Sequence, residues 1–292
     1  MLMNIAYIVI GIIINITVLS VGMRLIFPKL SMMRKIQNRL DVNKISVPIT
    51  TGKCNFGSSE TVINTSNPDK SSFVWIPDSN NLKGGVQFTY TFWLNMKAAT
   101  PLDNKILFSR GSMVQGGEGG YLSKCPMVEI LKDGNSRPTI RLSFNTLSTL
   151  DNVIDLSEDI FSLIVSTSAN PRWFLISLSF RDYVDFSNSE HGVQVQAFIN
   201  DNLVKTEIKK NDSLKLNHGN IIITPSSGTG DQSSFYSDIT YHNFAMDIMD
   251  IQEVYELGVS KASGCVTAKD SASDVVQNAY QRLSMHNNLN QI

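Results

Sequence analysis

The chain has 292 residues, of which 25 are basic and 26 acidic, so its formal net charge is −1. This near balance gives no general reason to expect binding to nucleic acid. A chain of this length accommodates one large all-β domain with flanking segments. The charge is unevenly spread, because residues 1–40 contain no Asp or Glu and the remainder of the chain is accordingly acidic.

The N-terminal segment is strongly apolar, and residues 5–23 carry no charged side chain. As a helix rising 1.5 Å per residue, this run would be about 28 Å long, close to the hydrocarbon thickness of a bilayer. We therefore predict a transmembrane helix within residues 1–28. Its membrane-anchoring residues are Ile5, Ile8, Ile12, Ile16 and Leu19. The alternatives are a buried core helix and a cleaved signal peptide, but a signal peptide normally begins with a basic region, which is missing here.

Basic residues follow the apolar run without an intervening acid: Arg24, Lys29, Arg34, Lys35 and Arg39. The positive-inside rule then places the bulk of this single-pass protein on the cytosolic side. We interpret residues 29–70 as a basic juxtamembrane segment and linker. Its first part fits either a basic amphipathic helix on anionic headgroups or a solvated helical stalk.

The three cysteines, Cys54, Cys125 and Cys265, are far apart and lack the spacing of metal ligands. A disulfide framework is not expected in a domain with this much core, and a reducing compartment is the simpler interpretation. One bridge nevertheless stays compatible with the sequence.

The clearest strand in the sequence runs from Val86 to Met96. Apolar and polar residues alternate along it with a period of two, which is typical of a strand with one buried face. Phe88, Tyr90, Phe92 and Leu94 are predicted to face the core. Trp93 is the large apolar exception on the opposite, otherwise polar face.

Further strands are predicted at short intervals, near 47–51, 73–76, 105–109, 127–131, 139–144, 173–180, 193–200, 203–208, 220–224 and 238–246. Asp133-Gly134-Asn135 is a strong hairpin signal between two of them. Residues 150–168 show a spacing nearer to helical, and residues 250–257 predict a short helical turn. Many short strands with turn residues between them predict a two-sheet antiparallel sandwich.

Catalytic motifs are absent from the sequence. It contains no alternating pair of glycosidase carboxylates, no Gly-x-Ser-x-Gly elbow and no His-Glu-x-x-His helix. The histidines at 191, 218, 242 and 286 stand alone. Asp231 and Asp238 bracket a loop where calcium would find oxygen ligands, although loop-solubilising acids explain them better. We therefore expect no enzyme and no cofactor, with calcium the one candidate metal.

The order of the strand motifs resembles the concanavalin A-like superfamily, and within it the laminin G-like jelly rolls. The motifs are Phe88–Leu94, Lys105–Gly111, Trp173–Ser179, Val195–Val204, Asp238–Met246 and Ile251–Tyr255. The resemblance implies two curved antiparallel sheets, here at residues 71–258, and a binding or structural role. Residues 259–292 would form a polar tail.

The anchored sandwich is also similar to membrane-anchored, lectin-like structural proteins of large DNA viruses. The leading hypothesis is a non-enzymatic minor capsid component that tethers an internal virion membrane to neighbouring proteins of the shell. Trp93 and Phe198, apolar residues on otherwise polar strand faces, are the candidate contact positions.

Two alternatives stay open. A carbohydrate-binding or adhesion module outside the cell predicts glycosylation at Asn64 or Asn211. A divergent glycoside hydrolase predicts paired rim carboxylates about 5–10 Å apart.

Overall fold

The computed structural model describes residues 44–55, 61–65, 67, 70, 73–79, 85–97, 105–111, 124–131, 139–156, 165–166, 173–185, 188, 190–223, 235–260 and 264–267. The chain separates into residues 1–44 and residues 45–292, and every element below belongs to the second unit. The predicted membrane anchor and the five basic residues after it lie outside the described residues. Within the described ranges, no helix has the length and apolar character needed to cross a membrane.

The regular secondary structure of the described residues consists of strands and one helix. The strands are β1 (Ser46–Pro48), β2 (Thr50–Thr51), β3 (Cys54–Asn55), β4 (Thr61–Ile63), β5 (Gln87–Lys97), β6 (Lys105–Arg110), β7 (Met127–Leu131), β8 (Thr139–Phe144), β9 (Asn152–Leu156), β10 (Val165–Ser166), β11 (Phe174–Asp185), β12 (Glu190–Ile199), β13 (Asn202–Lys210), β14 (Ile221–Ile223), β15 (Phe235–His242) and β16 (Val266–Thr267). A helix, α1 (Ile248–Leu257), follows β15.

Two large sheets form the sandwich. The eight-stranded sheet has the order β1-β15-β5-β11-β12-β13, with β3 paired to β15 and β10 paired to β5. The six-stranded sheet has the order β4-β14-β6-β7-β8-β9, and β16 pairs separately with β2. Strand pairing is antiparallel except between β10 and β5. The prediction of an all-β, two-sheet antiparallel sandwich is confirmed, and the sheets include β1, β3 and β4, which precede the expected start at residue 71.

The main core lies between the two sheets and is organised by β5. Phe88, Tyr90, Phe92 and Leu94 are all buried in it, as the alternation predicts. The Phe88 ring stacks on Phe180 of the neighbouring strand, with ring centroids 4.7 Å apart. Each such side chain stabilises the fold by about 1.5–3 kcal/mol on burial, so this row alone fixes which face of β5 is internal.

A second, smaller core lies on the outer face of the eight-stranded sheet, beneath α1. It contains Trp93, Leu175, Phe198, Phe244, Met246 and Ile251. Helix α1 begins with a capping box in which Asp247 and Asp250 satisfy each other's backbone N–H groups. Trp93 stacks on Tyr255 of the helix, with ring centroids 6.0 Å apart.

This second core accounts for the two candidate contact residues. Trp93 and Phe198 are only 5% and 3% exposed. Their side chains are covered by the chain's own helix and the segment before it, rather than presented at a surface. The apolar exceptions on polar strand faces therefore mark an internal packing site.

The helical interpretation of residues 150–168 is wrong where the structure describes it. Asn152–Leu156 is strand β9, in which Ile154 and Leu156 point into the main core and Val153 points outward. The two-residue alternation decides this, because β9 pairs along its length with β8. The strand predicted at 73–76 is reduced to one bridge, between Phe73 and Asn64.

A disulfide joins Cys54 of β3 to Cys265, which lies just before β16. The bridge spans 211 residues of sequence, so it fastens the C-terminal segment to the eight-stranded sheet. Cys125 is free and buried, and burial raises the pKa of its thiol to about 12. The described residues therefore contain the one bridge that the sequence left open, which corrects the simpler interpretation of cysteines kept reduced.

Candidate functional site

One end of the sandwich gathers several unusual side chains. We call it the leading end, because β1 and β5 both begin there. The register places Ser46 opposite His242, and His242 opposite Thr89 near the start of β5. In the other sheet, Arg110 at the end of β6 is level with Ile221, the first residue of β14. The described segments that adjoin these strand ends form part of the surface of the leading end.

An exposed aromatic residue and a polar pair lie on this surface. Trp75 is 48% exposed in the segment Phe73–Ser79. Asp78, in the same segment, places a carboxylate oxygen 3.5 Å from Nδ1 of His218. Both of these side chains are largely in solvent. The arrangement offers one stacking surface and both donor and acceptor atoms to a ligand.

The loop that carries His218 is held in place by side-chain-to-backbone hydrogen bonds. Asn217 Nδ2 donates to the Arg110 carbonyl at 2.7 Å, and Asn217 Oδ1 accepts from Gly219 N at 2.8 Å. Thr65 Oγ1 donates to the Gly219 carbonyl at 2.9 Å. A Cβ atom at Gly219 would lie 2.6 Å from the backbone of Gly111, so the close approach of the two chains requires glycine there.

Arg110 places a buried positive charge behind this loop. Its side chain is 5% exposed, and its guanidinium carbon lies 5.4 Å from the centre of the Tyr241 ring. Among the described residues no carboxylate forms an ion pair with it, and its Nε has no hydrogen-bond partner there. Burial raises the pKa of Tyr241 and of Tyr90, while the nearby Arg110 charge opposes both shifts. The buried cation thus lies over the Tyr241 ring, with the Tyr90 and Tyr241 side chains as its electrostatic neighbours.

Asp182 and Asp212 are two carboxylates at the leading end that interact electrostatically. They are the natural comparison with the carboxylate pair of a glycosidase. Asp182 accepts from Leu214 N at 2.8 Å and from Val86 N at 3.0 Å, one bond to each oxygen. Burial raises its pKa, with a smaller contribution from the charge of Asp212. Asp212 accepts from the backbone and hydroxyl of Ser148. Both groups are occupied as loop clamps, which leaves them poorly placed to protonate a sugar oxygen.

One of the isolated histidines, His242, and one of the two candidate calcium ligands, Asp238, are hydrogen-bonded within the fold. His242 is buried, with Nδ1 2.7 Å from Ser46 Oγ and Nε2 3.0 Å from Thr91 Oγ1, and burial lowers its pKa to about 3. Asp238 accepts from Gly52 N and Ser260 N. Asp231 lies outside the described residues. In the part of the chain that is described, no group of three metal-ligating side chains comes together.

The sequence alone did not single out Trp75 or Asp78. The pattern Phe73–Ile76 resembles a buried strand; in the structure Val74 and Ile76 point into the main core, so Trp75 between them points outward. In the sequence His218 is only an isolated histidine. Its proximity to Asp78 depends on the crossing of two loops that are far apart in sequence.

Comparison with known proteins gives structural similarities only, since no family model and no curated protein matches the chain. The botulinum neurotoxin serotype D binding domain is 13% identical, covers 74% of this chain, is itself covered to 46%, and gives a TM-score of 0.45. The serotype D ligand-binding domain in complex with N-acetylneuraminic acid is 14% identical, with 72% and 43% coverage and a TM-score of 0.44.

A third similar structure, the serotype D/C VPI 5993 binding domain, is 12% identical, with 73% and 47% coverage and a TM-score of 0.44. The chain thus spans less than half the length of these structures. At TM-scores of 0.44 to 0.45 the likeness carries no argument about the ligand of this chain.

Proposed function

We propose that the chain is a non-enzymatic, lectin-like binding module, anchored in a membrane by its N-terminal segment, with carbohydrate as its ligand. In this proposal the sandwich is a divergent member of the laminin G-like group. The observation that carries it is the exposed Trp75 on the leading end, three residues before Asp78, whose carboxylate lies 3.5 Å from His218 of another loop. Sugars present a C–H face that packs on an aromatic ring and hydroxyl groups that bond to carboxylate and imidazole atoms.

A non-enzymatic role is favoured by the use of the carboxylates. Asp182 and Asp212 accept hydrogen bonds that hold loops together, and Asp78 stands in solvent beside a histidine rather than a second acid. Glycoside hydrolysis needs two free carboxyl groups on either side of the scissile bond. The described part of the leading end offers a binding surface in place of such a pair.

The test is glycan binding by the full chain in lipid nanodiscs, first on a glycan array and then by titration with the best ligand. We expect Trp75→Ala and Asp78→Asn each to weaken binding by about tenfold or more, equivalent to about 1.4 kcal/mol. Leu203→Ala is the matched control, because Leu203 is 46% exposed but lies at the opposite end of the sandwich. Binding that survives Trp75→Ala, or an array without any bound glycan, would refute the proposal.

The second candidate function is a structural tether between an internal virion membrane and a protein shell, with the chain as a minor capsid component. It is supported by the apolar run at residues 5–23 and by the sequence resemblance. A protein inventory of purified virions tests it directly. Absence of the chain from particles that contain an internal membrane would remove this candidate.

Membrane topology separates the two functions. The basic residues after the apolar run favour a cytosolic sandwich, whereas the Cys54–Cys265 bridge favours an oxidising compartment. Asn211 is exposed and begins an Asn-x-Ser sequon, so glycosylation there would report the compartment. Protease protection combined with glycosidase digestion gives the answer. A protected, glycosylated sandwich supports the lectin, and an accessible, unglycosylated one supports the tether.

A further inference from the structure

Two large apolar side chains project from one loop of the leading end. Leu147 is 71% exposed and Leu150 is 60% exposed, and both lie in the connection between β8 and β9. Burying a leucine side chain is worth about 1.5–3 kcal/mol, so two such residues exposed on one short loop represent a substantial unused driving force. Scattered single apolar residues are ordinary on protein surfaces, but two on the same seven-residue loop favour contact with an apolar phase.

The backbone of the loop is held by hydrogen bonds to the segment after β13. Thr146 forms a β-bridge with Leu214, and Leu147 N donates to the Ser213 carbonyl at 2.9 Å. The Asp212 carboxylate accepts from both the backbone and the hydroxyl of Ser148, between the two leucines. Because the backbone is fixed by these bonds, the exposed position of the leucines is preorganised.

The position of the loop indicates which apolar environment Leu147 and Leu150 would enter. The polypeptide preceding the sandwich reaches β1 at the leading end, where Ile45 exchanges hydrogen bonds with Asn243. That preceding polypeptide contains the uncharged run of residues 5–23. The charges beside the loop are mixed. Lys215, an exposed cation on the adjoining loop, donates its backbone N–H to Asn145 at the base of the leucine loop, and Asp151, directly after Leu150, pairs with Lys124 at 3.2 Å. Exposed apolar side chains rimmed by polar residues are a feature of surfaces that contact a membrane.

We propose that Leu147 and Leu150 insert into the interfacial region of the same bilayer that holds the N-terminal segment, so that the leading end of the sandwich lies on the membrane. The inference rests on the membrane-anchor part of the proposed function. It also deepens that function, because Trp75 would then stand at headgroup level. The carbohydrate within its reach would be carried by lipids of that membrane.

The experiment measures the depth of a probe attached to each position. Leu147→Cys and Leu150→Cys are labelled with an environment-sensitive fluorophore in the full chain, reconstituted in phosphatidylcholine–phosphatidylserine vesicles. Leu203→Cys, at the opposite end, is the control. The native cysteines do not interfere, because Cys54 and Cys265 are bridged and Cys125 is buried. We expect a blue-shifted emission at 147 and 150, quenched by lipids with nitroxide-labelled chains, and neither effect at 203.

Flotation of the same vesicles separates failure of the inference from failure of the anchor. If the protein floats and the probes at 147 and 150 stay as water-exposed as the probe at 203, the inference is wrong and the anchor stands. If the protein does not float, the anchor and the inference both fail. Shielding at 147 without quenching by the lipid nitroxides would mean that another protein surface covers the leucines, which also overturns the proposal.

Discussion

The outward-facing residues of the two sheets alternate with core residues in the same way. Those at the centre of the eight-stranded sheet are covered by another part of the chain, whereas several of those on the six-stranded sheet stay partly in solvent. On the eight-stranded sheet, Thr89 and Thr91 alternate with core residues as a solvated row would, yet they are 0% and 2% exposed beneath the C-terminal segment. On the six-stranded sheet, Arg141 and Asp155 occupy equivalent outward positions and remain partly in solvent as an ion pair. Alternation therefore identifies the outward face of a strand without telling whether another element covers it.

Apolar side chains hold helix α1 on the outer face of the eight-stranded sheet, and we expect the largest effect from a substitution of Ile251. Ile251→Ala removes a fully buried side chain of α1 and should lower the free energy of unfolding by about 2–5 kcal/mol. Ile248→Ala, on the same helix at a position 51% exposed, should change it by less than about 0.5 kcal/mol. Denaturant unfolding of both variants measures the difference. Equal effects would mean that α1 is not packed on the sheet.

Hydrogen bonds also hold the segment between β15 and α1 on the eight-stranded sheet. Thr89 Oγ1 donates to the Phe244 carbonyl at 2.9 Å and accepts from Met246 N at 2.9 Å. Thr89→Val leaves that buried N–H without its acceptor, so we expect a loss of about 1–3 kcal/mol. Thr139→Val, on the outward face of the six-stranded sheet, should change stability by less than about 0.5 kcal/mol. A neutral Thr89→Val would show that the covered polar row contributes nothing specific.

Lowering the pH should lower the free energy of unfolding, because His242 on the covered face is held neutral between Ser46 and Thr91. Burial lowers its folded-state pKa to about 3 from the ordinary value of 6.5. Between these values the unfolded chain binds the extra proton, so the free energy of unfolding falls as pH falls. The loss is up to about 2 kcal/mol at pH 5. Urea unfolding at pH 7 and pH 5 measures it.

His242→Gln is the control for that pH dependence, since glutamine keeps a neutral polar group and does not titrate. Most of the loss between pH 7 and pH 5 should disappear in this variant. Burial raises the pKa of Glu129 and of Asp182, so these groups act with the opposite sign and cannot produce an acid loss. An unchanged acid loss in His242→Gln would assign the effect to another group.

The solvated face should give the smallest effect. Arg141 Nε lies 2.7 Å from Asp155 Oδ1, and a second bond joins Arg141 Nη2 to Asp155 Oδ2 at 3.0 Å. Exposed pairs of this kind contribute about 0.2–1 kcal/mol. A double-mutant cycle with Arg141→Ala and Asp155→Ala should give a coupling energy in that range, reduced by added salt. A larger coupling would mean that this face is also covered.

Sequence reasoning reached the sandwich class because strand alternation is local. It also identified the inward row of β5, the pairing of β7 with β8 and the row of Val193 to Ile199 on β12, all of which lie where the pattern placed them. The turn predicted at residues 133–135 lies outside the described residues. It failed at Asn152–Leu156, where a period of two was obscured by neighbouring residues with helical spacing. It also could not show that Trp93 and Phe198 would be covered by α1, because that contact joins distant parts of the chain.

The sequence by itself determined the strands, the inward faces and the uncharged N-terminal run, since each is encoded in consecutive residues. The tertiary structure decided which outward face is covered, which two of three cysteines meet, and which loops share the leading end. Asp78 and His218 are 140 positions apart in the sequence, and Leu147 and Ile45 more than 100, so no local pattern relates them. Only the register of the strands brings them to one surface, which is why the candidate site appeared with the fold.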